Sequence, residues 1–504
     1  MLSDSVAKLL LTKVTVFLLV WRLATWVVMG IFSMKSQYVS RWMQGACVVI
    51  IILLSAMWAQ GQSQDSPPPD LQQLKAKLQQ LDREMQELKG QINAVEQAGT
   101  SPGAPTSTMP AAPHGVPGKT EKSATQVEQK NNIDLYGFIM LDTGYDFKTN
   151  DPNWFDVIRP TKLPSFNGEF APDGKIYYGV RQTRFGVKTI TPTGLGNLKT
   201  QFEFELFGTG VDQGQTTFRL RHAYGELGQF GAGQTWSPFM DIDVFPNSVE
   251  YWGPTGMVFF RNLQFRWMPI RNQRTQLTFA VERPGASADG GVYADRIELQ
   301  GIKPKFDMPD FSWSGRLIRH WGYVQLAGIF RKVSWVDLNK TPASDLSGDA
   351  FGWGLNLTSN IKFSKKDTGR FEIVYGDAIQ NYMNDAPVDI GVQNNFANPV
   401  TPIKGVALPA LGLVSFLDHN WSDRFSTSLG YSMLNIENSD AQKPSDFHQG
   451  HYALTNLLYH PVPSVTIGGE FQFGRRVNFS DGFNVNDYRI QFSFKYDWRK
   501  VFEF

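Results

Sequence analysis

The sequence predicts an all-β protein, a closed antiparallel transmembrane β-barrel of about 16 strands preceded by an N-terminal parallel coiled-coil helix. Three observations predict it. The chain ends on YRIQFSFKYDWRKVFEF, where Tyr488, Ile490, Phe492, Phe494, Tyr496, Trp498, Phe502 and Phe504 fall on even numbers. Arg489, Gln491, Ser493, Lys495, Asp497, Arg499 and Glu503 fall on odd ones, and only Lys500 and Val501 break the alternation. A period of two places these sets on opposite faces of a strand, one for lipid and one for water. The second observation is that short alternating segments bounded by Gly, Pro, Asn and Asp recur from Asn132 onward. The third is that an export signal and a heptad segment precede them.

Bulk composition leaves this class open and closes others. With 504 residues, 42% hydrophobic, 19% charged and a formal net charge of +1, the chain is neither a disordered protein nor a nucleic-acid binder. A mean hydropathy of -0.27 would suit a soluble protein. Transmembrane barrels score the same way, because their strands alternate and never show the roughly 20-residue apolar run of a spanning helix. The single cysteine, Cys47, sits in a stretch expected to be removed, which leaves the mature chain without a disulfide framework or a cysteine metal site. A lipoprotein anchor does not fit either, since the apolar run VVIIILLSAMW follows Cys47.

Taken in order, residues 1–33 carry an apolar run broken by Arg22 and read as a gene-model extension, with a helical membrane hairpin as the rival. From Met34, a basic start (Lys35, Arg41), a short apolar core and small residues at Ala59 and Gly61 form a secretory signal over 34–61. Residues 62–98 hold a heptad seam, Leu71, Leu78, Met85 and Ile92 alternating with Leu74, Leu81, Leu88 and Val95 at 3,4 spacing. Opposite charges five residues apart, Asp70 with Lys75, Lys77 with Asp82 and Glu84 with Lys89, favour parallel in-register helices; the plainer alternative is one amphipathic helix on its own domain. Residues 99–131 are rich in Pro, Gly, Ser and Thr and read as a linker, which puts the barrel at 132–504.

The alternation has a sense. In NLKTQFEFEL, Leu198, Phe202, Phe204 and Leu206 oppose Lys199, Gln201, Glu203 and Glu205; in FRLRHAY, Arg219 and Arg221 oppose Phe218, Leu220, His222 and Tyr224. A soluble sandwich would show the same local pattern. Strand after strand ends its apolar face in Tyr, Trp or Phe, as membrane girdles require, and the chain is exported, which favours the barrel. On this parity His222 is expected in the lipid-side interfacial belt. The last strand is longer than the apolar band needs, and a bend is expected at residues 499–501.

A final strand ending in Phe504 with alternate aromatics resembles the signal read by the barrel-assembly machinery of Gram-negative outer membranes. Segments such as YGVRQTRFGVKT, FRLRHAYGELGQFGAGQTWSPFMD, PNSVEYWGPTGMVFFRN and HWGYVQLAGIFR, behind a coiled coil, resemble the DcaP-like family of trimeric outer-membrane porins. The resemblance implies a 16-stranded barrel in outer-membrane lipid and lipopolysaccharide, three per assembly, with coiled coils in the periplasm. It also implies passage of small anionic solutes such as dicarboxylates.

Channel selectivity comes from charges lining a narrow water path. By parity Arg184, Lys188, Lys199, Arg219, Arg221, Arg266, Arg489 and Lys495 face inward, opposed by Glu203, Glu205 and Asp497. The alternative is that these charges merely pair with one another and set no preference. Residues 237–256, SPFMDIDVFPNSVEYWGPTG, are long, Pro-broken and acidic through Asp241, Asp243 and Glu250. They match the place of a loop that folds inward to narrow a porin, with arginines facing its acidic groups; a plain surface loop is the alternative.

Two further classes are weighed. An outer-membrane hydrolase needs a nucleophile, a base and an orienting group. His222, His320, His419, His448, His451 and His460 are scattered, and HQGH lacks carboxylates at useful spacing, so no catalytic residue, metal or cofactor is expected. A structural tether to the cell wall would use the heptads but lacks a recognisable wall-binding module.

Overall fold

The computed structural model describes residues 131–504. The extension, export signal, coiled coil and nearly all of the linker expected from the sequence lie outside the described residues. The strands run β1 (Asn132–Asp146), β2 (Lys175–Gly179), β3 (Arg184–Thr193), β4 (Gly196–Phe207), β5 (Thr216–Leu227), β6 (Phe230–Trp236) and β7 (Arg261–Arg271). They continue as β8 (Thr275–Glu282), β9 (Ile302–Lys305), β10 (Asp310–Arg319), β11 (Gly322–Asp337), β12 (Gly348–Lys362), β13 (Asp367–Asp377), β14 (Ile390–Asn394) and β15 (Ile403–Ala407). The last five are β16 (Pro409–Asn420), β17 (Phe425–Ile436), β18 (Phe447–Tyr459), β19 (Val465–Asn478) and β20 (Asn484–Glu503).

Eighteen strands form one antiparallel sheet, and β14 with β15 makes a separate hairpin. Two walls are each built from two pieces. β2 and β3 both pair with β1, at its end and its start respectively. β9 pairs with the end of β11 (Ser334–Asp337) and β10 with its start (Gly322–Phe330). Counting each broken wall once, the sheet has 16 walls. It closes on itself through β1 and β20, in unbroken register from Asn132↔Glu503 to Asp146↔Arg489. The terminal Phe504 exchanges backbone hydrogen bonds of 3.1 Å with Asn131. Closure leaves no edge, so every wall satisfies its backbone groups from a neighbour, the condition for strands to cross lipid. The expected bend at 499–501 is absent: β20 stays paired through Lys500 and Val501, and the surplus length remains strand.

The side chains are sorted the opposite way from a soluble protein. On β1, Ile139 is 58% exposed and Asp142 3%; on β20, Phe492 is 54% exposed and Gln491 0%. Phe202, Phe218, Phe265, Phe330, Leu429 and Leu457 repeat the pattern outside, against buried Glu203, Asn356, Thr358, Glu372 and Gln472 inside. An apolar exterior around a polar interior is stable only in lipid. No described helix is long and apolar enough to cross a membrane; the strands do the crossing. One end of the barrel has short turns, such as 228–229 and 320–321, and the other long loops, such as 147–174, 237–260 and 378–408. Short turns are the periplasmic end of such barrels and long loops the outer end.

Candidate solute passage

The segment 237–260, between β6 and β7, runs inside the barrel. Asp241 accepts from Tyr323 (2.8 Å) and Thr358 (2.6 Å) and pairs with Arg316 (2.6 Å). Further along, the Val249 carbonyl accepts from Gln182 (2.9 Å) and Gln491 (3.1 Å), Thr255 N–H donates to Ser432 (3.1 Å), and Val258 N–H donates to Glu372 (2.9 Å). These partners lie on walls all around the cylinder, so the loop spans the lumen. Its apolar side chains Phe239, Val244 and Met257 are fully buried against the wall residues Ile329, Val374, Val414 and Phe416. Gly256 lies flat on the wall: a Cβ there would overlap the carbonyl oxygen of Met433.

On the wall facing this loop, β3, β4, β5 and β7 converge on two carboxylates. Arg221 holds Glu203 through Nε (2.6 Å) and Glu205 through Nη1 (2.7 Å). Arg184 lies 3.3 Å from Glu205, Arg219 3.6 Å and Arg261 3.8 Å, and the loop's Tyr251 hydroxyl donates to Glu205. Four guanidinium groups therefore surround two carboxylates, leaving the cluster positive. Among the described residues the Nε of Arg184 and the Nη1 atoms of Arg219 and Arg261 make no hydrogen bond, although the first two stand 3.7 Å from Glu203 and 3.6 Å from Glu205. The Arg219 side chain is 27% exposed, against 4% for Arg221, 5% for Arg261 and 13% for Arg184, so Arg219 presents the cluster's charge to the lumen.

The other residues picked out by parity also lie on the inner wall, in different circumstances. Lys188 sits 4.9 Å over the ring of Tyr136, and Lys495 pairs with Asp497 at 2.9 Å. Arg266 bonds to Gln264 (3.0 Å) and Lys199 stands near the periplasmic end of β4. Arg489 is fully buried, its guanidinium held by Asp146 and by the carbonyl of Phe155. Asp241 and Asp243 face Arg316 on β10, while Arg219 and Arg221 pair with the wall carboxylates. His222 is not at the lipid surface. The pairing of β4 with β5 slips between Glu203↔His222 and Phe204↔Leu220, leaving Arg221 as a bulge residue. The bulge turns both Arg221 and His222 inward, so His222 is 3% exposed and bonds to Thr235 at 3.0 Å. Tyr224 follows it, beneath the inward guanidinium of Arg266.

With fold and lumen in place, comparison with known proteins is informative. The family model for the DcaP outer membrane protein matches residues 117–498. The chain belongs to the DcaP outer membrane protein family. Among solved structures this DcaP family member is similar to the outer membrane channel DcaP of Acinetobacter baumannii, at 20% identity and a TM-score of 0.61, covering 75% of this chain and 100% of that one. It is also similar to the anion-selective porin from Comamonas acidovorans (10% identity, TM-score 0.49, 73% and 100% covered). OmpT of Vibrio cholerae is similar at 12% identity and a TM-score of 0.45, with 74% and 99% covered. No curated protein matches. Family membership and a sealed barrel with a lipid-type exterior place the chain in the outer membrane as a porin-type barrel.

Several lumen charges of this DcaP barrel escaped sequence reading. Arg316 and Arg370 carry the same signal as Arg219: in FSWSGRLIR and GRFEIVYG they alternate with Phe311, Leu317, Phe371 and Ile373. Arg331, paired with Asp310 (3.0 Å) and Asp389 (2.8 Å), shares its inner face with Ala327 and Ile329, which hides its parity. Arg159 and Asp385 lie in loops, where no period exists to read.

Glu250 gives the loop a pH dependence. Its carboxylate is 1% exposed and accepts from the backbone N–H groups of Ile158 (3.3 Å) and Gly253. Burial pushes its pKa up to about 8, with the neighbouring Glu470 acting in the same direction and the Gly253 N–H opposing. A raised carboxyl pKa means that the folded state holds a proton the unfolded chain gives up near its ordinary value of 4.5. Stability from this group is therefore complete below that value and is lost as pH rises through about 8. The temperature at which the barrel unfolds on heated detergent gels should fall by several degrees between pH 5 and 9. Glu250→Gln should flatten that slope, and an unchanged slope would contradict the assignment.

Proposed function

We propose that the chain is an outer-membrane diffusion channel for small hydrophilic solutes, favouring anions such as dicarboxylates. One observation carries the reading: the cluster of Arg184, Arg219, Arg221 and Arg261 exceeds its two carboxylates in charge and leaves three guanidinium nitrogens without a hydrogen bond among the described residues. Donors of that kind, buried beside a water path, suit carboxylate oxygens, which accept paired N–H bonds from guanidinium forks. The segment 237–260 acts as the constriction opposite them, bringing Tyr251 to the same cluster. Three barrels assemble as a homotrimer, with the heptads of residues 62–98 joining in the periplasm; the unbroken 3,4 seam supports this. The paired, aromatic last strand ending at Phe504 is the segment offered to the barrel-assembly machinery.

Replacing Arg219 tests the anion preference with the least structural cost, because its side chain is the most exposed of the four. In planar bilayers under a salt gradient, Arg219→Ala should move the reversal potential toward zero by roughly a third to a half of its wild-type value. An unmoved potential would remove the cluster from the selectivity mechanism.

A further inference from the structure

We propose that Asp385 is a positioning residue for the passage, a carboxylate latch that ties three separate loops together across the lumen and so sets the width of the way through. The inference rests on the reading of the chain as a channel. Asp385 lies in the loop after β13 and is 0% exposed. Its carboxylate takes hydrogen bonds from Arg159 Nε (2.9 Å), from Thr161 N–H (3.0 Å) and from the Thr161 hydroxyl, all on the loop after β1. On the loop between β6 and β7, Thr255 Oγ1 lies 3.4 Å away as a longer contact. The neighbouring Asn384 reinforces the junction. Its Nδ2 donates to the carbonyls of Trp252 (2.6 Å) and Pro254 (3.0 Å), and Trp252 Nε1 donates back to the Asn384 carbonyl (2.8 Å).

The cation held by this carboxylate is itself part of the join. The guanidinium of Arg159 lies against the rings of Trp154 (4.0 Å), from its own loop, and Trp252 (4.2 Å), from the loop between β6 and β7, and the two rings themselves meet edge to face at 4.8 Å. A guanidinium seated against two rings and paired with a carboxylate fixes the relative position of everything it touches. None of these residues belongs to the hydrogen-bonded wall, so the barrel closes without them. Removing the carboxylate strips Arg159 of its counter-ion at a desolvated junction, which favours separation of the loops and hydration of the cation. The latch thereby couples loop position, pore width and selectivity through one side chain.

Bilayer recording and liposome swelling on the full-length protein test this with Asp385→Asn, which keeps the shape and removes the charge. The latch predicts single-channel conductance up about two-fold and a larger sugar admitted, with the barrel's heat-unfolding temperature changed little. A purely electrostatic role predicts instead a stronger anion preference at unchanged conductance and size limit, and that result, or no change at all, overturns the proposal. Should Asp385→Asn fail to reach the membrane, Arg159→Met removes the other partner and must widen the pore equally, or the latch is rejected. The pair Thr161→Cys with Asp385→Cys adds a rescue: the oxidised form should return to wild-type conductance and the reduced form should be wide, whereas an oxidised form that stays wide counts against the latch. A wild type without conductance would refute the channel reading itself, while a conducting wild type with unaltered variants refutes only the latch.

Discussion

Arg221→Ala should destabilise the barrel by about 3–5 kcal/mol, the cost of leaving buried charge without its partner. The Arg221 side chain is 4% exposed and, among the described residues, is the one that hydrogen-bonds both Glu203 (2.6 Å) and Glu205 (2.7 Å), themselves 5% and 0% exposed. Its removal leaves the two carboxylates with the Tyr136 and Tyr251 hydroxyls and with Arg184, Arg219 and Arg261 at 3.3 to 3.8 Å, without a close charged partner. The bulge that turns Arg221 and His222 inward loses its reason as well. The measurement is the temperature of conversion from folded to unfolded mobility on detergent gels. Arg221→Lys should fall between wild type and Ala, because an ammonium is a point charge that cannot span two carboxylates as a fork does. Arg219→Ala should leave the temperature within a few degrees of wild type, since that side chain makes only a 3.6 Å contact. Equal losses at 219 and 221 would contradict the division of labour.

Phe492→Arg should have a comparable effect by a different route. Phe492 is 54% exposed and lies midway along the outer face of β20, between Tyr488 toward the outer girdle and Tyr496 and Trp498 toward the inner one. An arginine at the midplane of a barrel's lipid face costs about 2–4 kcal/mol, falling toward zero near the interfaces. Phe492→Arg should therefore cut the folded yield in outer-membrane fractions severalfold. Tyr496→Arg, where the side chain reaches headgroups, should cut it much less. A yield indifferent to depth would mean that this face does not meet hydrocarbon.

The wall of the barrel was legible because its physics is local: a strand that separates lipid from water alternates, and β20 shows it at almost every position from Tyr488 to Trp498. Legibility ends where the backbone departs from period two. A single bulge at Arg221 reverses the parity of His222 and Tyr224, and nothing in FRLRHAY announces it. Two walls are split, at residues 180–183 and 306–309, where the alternation of one wall is divided between two short strands. The Lys500 and Val501 irregularity looked like a bend, yet pairing with β1 runs through it without a break in register. Inside the lumen the reading was thinner still. Parity states that Arg489 points inward but not that Asp146, 343 residues away, has already claimed it. Loop residues have no period, so Arg159 and Asp385 become meaningful only once three loops have met, and Glu250, legible as an acid of the narrowing loop, gave no sign of its burial.

The most direct test of the account is the current carried by the purified full-length protein in a planar bilayer under a tenfold KCl gradient, repeated at low and high salt. A lumen biased by the arginine cluster predicts an ohmic, steady conductance whose reversal potential lies toward chloride, more strongly at low salt where screening is weak. A reversal potential on the potassium side, or a folded barrel that carries no current, would contradict it.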